Sequence, residues 1–158
     1  MGMTRKPYVG VVGAGLATEA ELELATGVGR LIAEGGAVLV CGGLGGVIAA
    51  AARACEEAGG LSLGVLPGDD RLAASRHLTM AVATGMGEAR NAVVARTADV
   101  LIAVGGEYGT LSEIAFALKM GKRVVGLRTW DLAREELGDP IVRAETPVEA
   151  VTKALNLI

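Results

Sequence analysis

Short apolar runs alternate with helical patterns along the chain, and this alternation restricts the fold more than any other feature of the sequence. In residues 19–34, for example, Leu24, Val28, Leu31 and Ile32 recur at helical spacing and share one face. Thr18 and Glu21 predict a capping box at the start of this helix, and Gly35 and Gly36 predict its end. The predicted helices are 19–34, 47–58, 87–98, 110–121 and a short one from Pro147.

The intervening runs are apolar throughout, which is typical of strands buried on both faces of a parallel sheet. The predicted strands are 8–13, 37–41, 61–67, 77–84, 99–104 and 123–127. Strands that alternate with helices favour a sheet covered by helices on both sides. We therefore expect an α/β fold: one Rossmann-like, three-layer domain over residues 1–158, with a mostly parallel sheet.

Composition narrows the classes of function. The 158 residues carry a net charge of −3, with no basic run and only 3% aromatic residues, which argues against a nucleic-acid partner. Cys41 and Cys55 have no His or Cys neighbours at metal spacing, so we expect reduced, buried thiols in a cytoplasmic protein without a signal peptide and without a bound metal. Residues 35–52 are uncharged, but six glycines interrupt them, which favours a strand, a turn and a helix over a membrane span.

Three of the predicted strands end in glycine-rich junctions, "VGAG" (12–15), "CGGLGG" (41–46) and "VGGEYGT" (104–110). Parallel strands bring these junctions to one edge of the sheet, where such folds bind ligands. Helix N-termini there offer free N–H groups and a partial positive charge, which suit a phosphate group. The alternative is a set of tight turns without a ligand. The candidate ligand-binding residues are Gly13, Gly42, Gly43, Gly45, Gly46, Gly105, Gly106, Gly109 and Thr110.

The common nucleotide motifs are absent from these junctions. A Walker A loop needs Gly-Lys-Ser/Thr before a helix, whereas Gly121 and Lys122 follow one. The first junction lacks the third glycine of the dinucleotide fingerprint, and the second strand is not followed by an acid for a ribose. These departures argue against NAD or FAD bound in the usual mode.

Two charged residues are candidates for chemistry. Glu113 lies one turn into the predicted helix that follows the third junction, where it could act as a general base or stabilise an oxocarbenium-like centre. The alternative is a capping box in which Glu113 bonds the backbone of Thr110. Arg90 shares a helical face with Val93 and Val94, so it points inward, towards an anionic ligand or Glu113; the alternative is a surface arginine.

The remaining polar candidates are weaker. Glu107 would repel a phosphate, so its side chain should turn outward or the site prefers another guest. Asp69 and Asp70 could hold a cation, but a solvated loop is the simpler interpretation. His77, the only histidine, is predicted to begin a strand and belongs to no recognisable Ser/His/Asp arrangement.

Residues 8–127 resemble the LOG (Lonely Guy) family of phosphoribohydrolases, once labelled lysine decarboxylases, and within it the branch that includes molybdenum cofactor carrier proteins. The resemblance is carried by "CGGLGGVIAAAARACEEAGGLSLGVLPG" and "GEARNAVVARTADVLIAVGGEYGTLSE". It implies that Arg90 and Glu113 match the family's catalytic pair. It also implies that Gly106, Gly109 and Thr110 match the phosphate-binding turn of its P-G-G-x-G-T-x-x-E motif.

The sequence departs from that motif at three positions. The proline is replaced by Gly105, the second glycine by Glu107, and the lysine that usually follows the arginine by Asn91. These changes resemble the carrier-like branch. Lysine decarboxylation is excluded because pyridoxal phosphate needs a Schiff-base lysine, and the chain's lysines lie away from the predicted ligand edge.

These observations predict a binding protein for a phosphate-bearing, nucleotide-like small molecule, such as an AMP-like nucleotide or the molybdenum cofactor, with no cofactor required. The alternative is a hydrolase that cleaves the N-glycosidic bond of a nucleoside 5′-monophosphate. A third class, a purely structural interaction protein, predicts no phosphate ligand. The alanine-rich segment 48–54 should be buried and suggests a homodimer or homotetramer.

Overall fold

The computed structural model describes residues 5–158 and contains one seven-stranded sheet in which all neighbouring strands are parallel. The strand order is β4-β3-β2-β1-β5-β6-β7. β1, β2 and β5 lie in the centre and are almost wholly buried, as their apolar sequences require. The strands are β1 (Tyr8–Gly13), β2 (Val38–Cys41), β3 (Leu61–Leu66), β4 (Met80–Ala83), β5 (Val100–Val104), β6 (Arg123–Leu127) and β7 (Val142–Arg143).

Five α-helices cover the two faces of the sheet. Buried residues of α1, α2 and α5 form one apolar cluster with one face of the strands, and buried residues of α3 and α4 form a second cluster with the other face. This three-layer arrangement confirms the predicted α/β, Rossmann-like fold. The helices are α1 (Glu19–Glu34), α2 (Val47–Glu57), α3 (Arg90–Thr97), α4 (Tyr108–Lys119) and α5 (Pro147–Asn156).

The helices α1 and α2 pack closely because Gly29 has no side chain at their crossing. A Cβ built on Gly29 would overlap the carbonyl oxygen of Ala51 and lie 2.8 Å from Ala51 Cα. The prediction that segment 48–54 is buried is confirmed for Ile48, Ala51, Ala52 and Ala54, whereas Arg53 is exposed. The uncharged stretch 35–52 forms β2, a glycine turn and the start of α2, and no helix of residues 5–158 is long and apolar enough to cross a membrane.

The order in which strands are added to the sheet reverses at β1, and this switch positions the candidate site. The chain adds β2, β3 and β4 on one side of β1, then returns to place β5 on the other side. Gly13 at the end of β1 is in register with Val104 at the end of β5, and β2 ends at Cys41 beside them. The three glycine junctions therefore lie at one edge, at the switch point where open α/β sheets bind ligands.

The structure corrects several predicted boundaries. The fourth strand begins at Met80, and His77 precedes it in a turn, where its Nδ1 lies 2.6 Å from a carboxylate oxygen of Glu56. The predicted helix 87–98 is a 3₁₀ turn at residues 87–89 followed by α3 from Arg90, since Gly87 has a φ of +57° that an α-helix does not allow. β7 was not predicted, because two residues carry no periodic signal.

Candidate functional site

A cavity of about 350 Å³ opens where the three glycine junctions meet. This volume falls within the range of pockets that bind small molecules. The junctions after β1, β2 and β5 supply most of the wall, the segments at Pro67 and at 87–91 supply the rest, and Arg90 and Glu113 both line it. The glycine-junction residues on the wall are Gly13, Ala14, Gly15, Leu44, Gly45, Glu107, Gly109 and Thr110.

The helix N-termini at this cavity differ from those elsewhere in the described chain. α2 and α4 begin at the wall without a side-chain cap, although the first N–H of α2, that of Val47, donates to the carbonyl oxygen of Ala14. α3 continues a 3₁₀ turn, and the N–H of Arg90 already donates to the carbonyl oxygens of Gly87 and Glu88. By contrast, α1 and α5 begin away from the cavity, and their first turns are capped by Thr18 and Thr146. The Thr18–Glu21 capping box is present as predicted. Free N–H groups are therefore concentrated where a ligand could replace the missing caps.

Arg90 points into the protein, as its helical face predicts. Its guanidinium packs against the backbone of Gly42 at the end of β2. Its Nε atom is fully buried and has no hydrogen-bond partner among residues 5–158. A buried donor on a charged group that remains unpartnered costs free energy, so the site lacks an acceptor. Arg90 is also the sole cation among the lining residues that the structure describes.

Glu113 is 5% exposed and shares the buried face of α4 with Thr110. Burial raises the pKa of Glu113 to about 7, although the nearby positive charge of Arg90 acts in the opposite direction. The same removal from water raises the pKa of the neighbouring Cys41 thiol to about 12. Glu113 can therefore hold or release a proton near neutral pH, whereas Cys41 stays a neutral thiol.

The capping-box interpretation of Thr110 and Glu113 is wrong. α4 begins at Tyr108, with Glu107 as its N-cap, so Thr110 is already the third residue of the helix. The T-x-x-E spacing arises because residues three apart lie on the same helical face, which is buried here. Glu113 is thus free to face the cavity.

The turn before α4 needs glycine at two positions. Gly105 has a φ of +57°, a value that proline cannot adopt, and Gly106 has a φ of +121°. A Cβ on Gly105 would also overlap the Glu21 carboxylate, and one on Gly106 would lie 2.5 Å from Thr110 Cγ2. Proline, which stands at this position in the motif, could therefore not replace Gly105 in this turn.

Several predicted residues lie beside the cavity rather than on its wall. Gly42 contacts the Arg90 guanidinium, and Gly46, with a φ of +65°, packs against the carbonyl oxygens of Ala14 and Gly15. Gly43, with a φ of +83°, packs against Leu66. These glycines, with Gly105 and Gly106, allow close approach of backbone segments around the site.

Sequence reasoning missed part of the wall. Leu44, Ile48 and Pro67 give the cavity an apolar side, and Glu88 in the 3₁₀ turn adds an acidic group to the wall. Asn91, which replaces the lysine of the motif, is buried and donates from Nδ2 to Ser112 Oγ at 3.0 Å. Ser112 in turn donates to the carbonyl oxygen of Gly109 at 2.6 Å. This chain of hydrogen bonds ties α3 to the start of α4 and has no sequence signal.

The acidic residues limit the charge of the site. Glu107 is exposed but still lines the cavity, so the predicted outward turn does not remove it from the wall. Asp70, considered above as a cation ligand, accepts a hydrogen bond from the backbone N–H of Leu72 at 2.8 Å. In the part of the chain that the structure describes, no group of three or more His, Cys, Asp or Glu residues could hold a metal ion.

Known proteins share this fold over almost the whole chain. An uncharacterised protein of Archaeoglobus fulgidus is 43% identical over 153 residues, which cover 94% of each protein. The molybdenum cofactor binding protein of Rippkaea orientalis is 37% identical, with a TM-score of 0.89 over 98% of both chains. The molybdenum cofactor carrier protein of Chlamydomonas reinhardtii is 36% identical, with a TM-score of 0.88 over 97% of this chain and 98% of that chain. The model of the SLOG cluster4 family matches residues 6–154, and the chain belongs to this family.

Proposed function

We propose that the cavity binds a phosphate-bearing, nucleotide-like small molecule and that the protein carries this ligand without converting it. A molybdopterin-type cofactor is the cargo we favour, because two similar structures are proteins named for binding or carrying the molybdenum cofactor. An AMP-like nucleotide has the same phosphate chemistry and is the second cargo to test.

One observation carries the proposal: the uncapped N-termini of α2 and α4 and the unpartnered Nε of Arg90 surround a single cavity. Each charge-assisted hydrogen bond to a phosphate contributes about 1.5–3 kcal/mol before desolvation is subtracted. The helix macrodipoles add about 0.3–1 kcal/mol each. Glu88 and Glu107 oppose a dianion, but both are exposed, so water screens them more than it screens Arg90.

The rest of the cavity offers an apolar wall to an organic ligand. Leu44, Ile48 and Pro67 form an apolar side, and small molecules bury most of their surface against such walls. The absence of a metal-binding cluster among residues 5–158 does not conflict with this cargo, since the metal of the cofactor would travel with it.

Binding measurements with a matched pair of arginine variants test the proposal. Arg90→Ala removes the charge inside the cavity, whereas Arg96→Ala removes an exposed charge from the same helix. We expect the wild type and Arg96→Ala to retain molybdopterin or AMP through gel filtration and Arg90→Ala to lose it. Equal retention by all three proteins, or by none, would contradict the proposal.

A phosphoribohydrolase is the alternative, and the ionisation of Glu113 favours it. A buried carboxyl with a pKa of about 7 suits a general base or a stabiliser of a developing sugar cation at neutral pH. In this reaction water adds to the anomeric carbon as the N-glycosidic bond breaks, and the products are the free base and ribose 5-phosphate. Arg90 would hold the phosphate or orient Glu113.

Incubation with AMP and its N6-modified analogues separates the two functions. Release of free base by the wild type, abolished in Glu113→Ala, would identify a hydrolase. Tight binding of the nucleotide without release of base would favour the carrier.

A further inference from the structure

The turn that precedes α4 is held from outside the cavity by the segment that follows β6. Thr129 Oγ1 donates to the carbonyl oxygen of Gly105 at 2.5 Å, and Trp130 Nε1 donates to the carbonyl oxygen of Glu107 at 3.3 Å. The backbone N–H of Gly105 also donates to Leu127 at 2.9 Å. We propose that Thr129 and Trp130 are positioning residues that aim the amides of this turn at the phosphate group of the ligand. This inference rests on the proposed function.

Peptide geometry explains how a bond to a carbonyl can aim an amide. The C=O of Gly105 and the N–H of Gly106 belong to one planar trans peptide unit and point in opposite directions. The C=O of Glu107 and the N–H of Tyr108 likewise belong to one peptide unit and point in opposite directions. Holding both carbonyls on the side of Thr129 and Trp130 therefore directs both amides to the other side.

The amides of the turn are available for a ligand. Within residues 5–158, none of the backbone N–H groups from Gly106 to Thr110 donates to another group of the protein. Glu107, Gly109 and Thr110, which surround these amides, line the cavity. Successive unpaired amides form a concave site for an anion, provided that the backbone keeps their common direction.

The positioning segment is itself held in place by contacts of Arg143, which stabilise a strained residue at its start. Arg128 is the one non-glycine residue of the described chain with a φ in the left-handed region, at +50°. Such a conformation persists where surrounding contacts determine it. Here Arg143 donates to the carbonyl oxygens of Thr129 and Trp130 at 3.4 and 2.6 Å and pairs with Asp139. The contacts thus form a continuous support from Asp139 to the turn.

Two substitutions remove the donors: one is nearly isosteric, and the other also removes the five-membered ring of the indole. Thr129→Val replaces the hydroxyl with a methyl group, and Trp130→Phe removes Nε1 while keeping an aromatic ring near Tyr108, whose ring centre lies 5.7 Å from that of Trp130. Thr97→Val is the matched control, because Thr97 Oγ1 also donates to a backbone carbonyl, that of Val93 at 2.7 Å, but within α3.

The readout is the preference for AMP over adenosine, measured as the ratio of their dissociation constants by calorimetry at fixed ionic strength. A positioning role predicts that Thr129→Val and Trp130→Phe each weaken the affinity for AMP about three- to tenfold and leave the affinity for adenosine unchanged. This is the size of effect expected when the ligand loses one well-aligned hydrogen bond. Thr97→Val should keep the wild-type ratio.

The other outcomes separate this inference from the function on which it rests. If the wild type prefers AMP and both variants keep that preference, the function stands and the positioning role is wrong. A variant that weakens AMP and adenosine equally has only a structural role, which also contradicts the inference. If the wild type shows no preference for AMP, the proposed function and the inference both fail.

Discussion

The guanidinium of Arg90 lies directly over Gly42, so a Cβ at residue 42 would overlap Nη1 and lie 3.0 Å from Cζ. The two residues come from different helix and strand units, α3 and the end of β2, and are 48 positions apart in the sequence. Arg90 can reach into the cavity because residue 42 has no side chain. The position of the Arg90 guanidinium therefore requires glycine at residue 42.

Gly42→Ala should displace the charge without unfolding the protein. The atoms in its way belong to the flexible end of Arg90, so the fold can adapt at small cost, whereas the guanidinium must move. We expect affinity for AMP or molybdopterin to fall at least tenfold, or about 1.4 kcal/mol, with a melting temperature within a few degrees of wild type. Gly68→Ala, where a Cβ meets nothing within 4 Å, is the control. Unchanged affinity in Gly42→Ala would mean that Arg90 is not part of the binding site.

Glu113 should make the protein less stable as the pH rises. The folded-state pKa of about 7 exceeds the ordinary value of 4.5, so between these values the folded protein holds a proton that the unfolded chain has released. The free energy of unfolding should fall between about pH 5 and pH 8, by up to about 3 kcal/mol from this group.

Glu113→Gln tests this dependence by denaturant unfolding at several pH values. The neutral amide should raise stability at pH 8 relative to the wild type and flatten the dependence. Glu23→Gln changes an exposed carboxylate on α1 and should follow the wild-type curve. If Glu113→Gln and the wild type show parallel curves, Glu113 ionises normally.

Binding of an anion should be coupled to proton uptake by Glu113. The positive charge of Arg90 lowers the pKa of Glu113, and an anion beside both residues would oppose that effect. At pH 7.5 the carboxyl would therefore take up part of a proton as AMP binds. Calorimetry in two buffers of different ionisation enthalpy measures the uptake. Glu113→Gln should remove it, and equal uptake in both proteins would assign the proton to another group.

Gly29→Ala should destabilise the contact between α1 and α2. Alanine favours a helix by about 1 kcal/mol over glycine, but its Cβ would overlap the carbonyl oxygen of Ala51, and overpacking typically costs about 1–3 kcal/mol. Backbone on both sides prevents easy relief, so we expect a net loss of stability by denaturant unfolding. Gly109→Ala in α4 is the matched control, because its Cβ meets nothing within 4 Å and only the helical preference applies. A loss of equal size at both positions would show that the close packing is not the cause.

The order of the helices and of the first six strands was readable from the sequence because helical spacing alternates with short apolar runs, and glycine or threonine marks many of the ends. The segment from β2 to α2 illustrates this, since its boundaries agree with the prediction to within one residue. The sequence also brought Arg90 and Glu113 to one ligand edge, because parallel strands end together. Their roles in binding or catalysis remain proposals.

What the sequence did not reveal depends on contacts between distant residues. The start of α4 at Tyr108 is set by the turn at Gly105 and Gly106, and the local T-x-x-E pattern suggested a later start. The support from Thr129 and Trp130 was missed because a threonine and a tryptophan after a strand are unremarkable by themselves. Their hydrogen bonds join segments that are 24 and 23 residues apart.

The hydrogen bond from Trp130 to Glu107 has a practical consequence. Trp130 is the only tryptophan of the chain, and its indole N–H ends on the turn that we assign to the ligand. Emission from this single fluorophore arises beside the site, without background from other indoles. Filling of the cavity should therefore change the intensity or wavelength of the native protein's fluorescence, which gives a label-free titration for any candidate cargo.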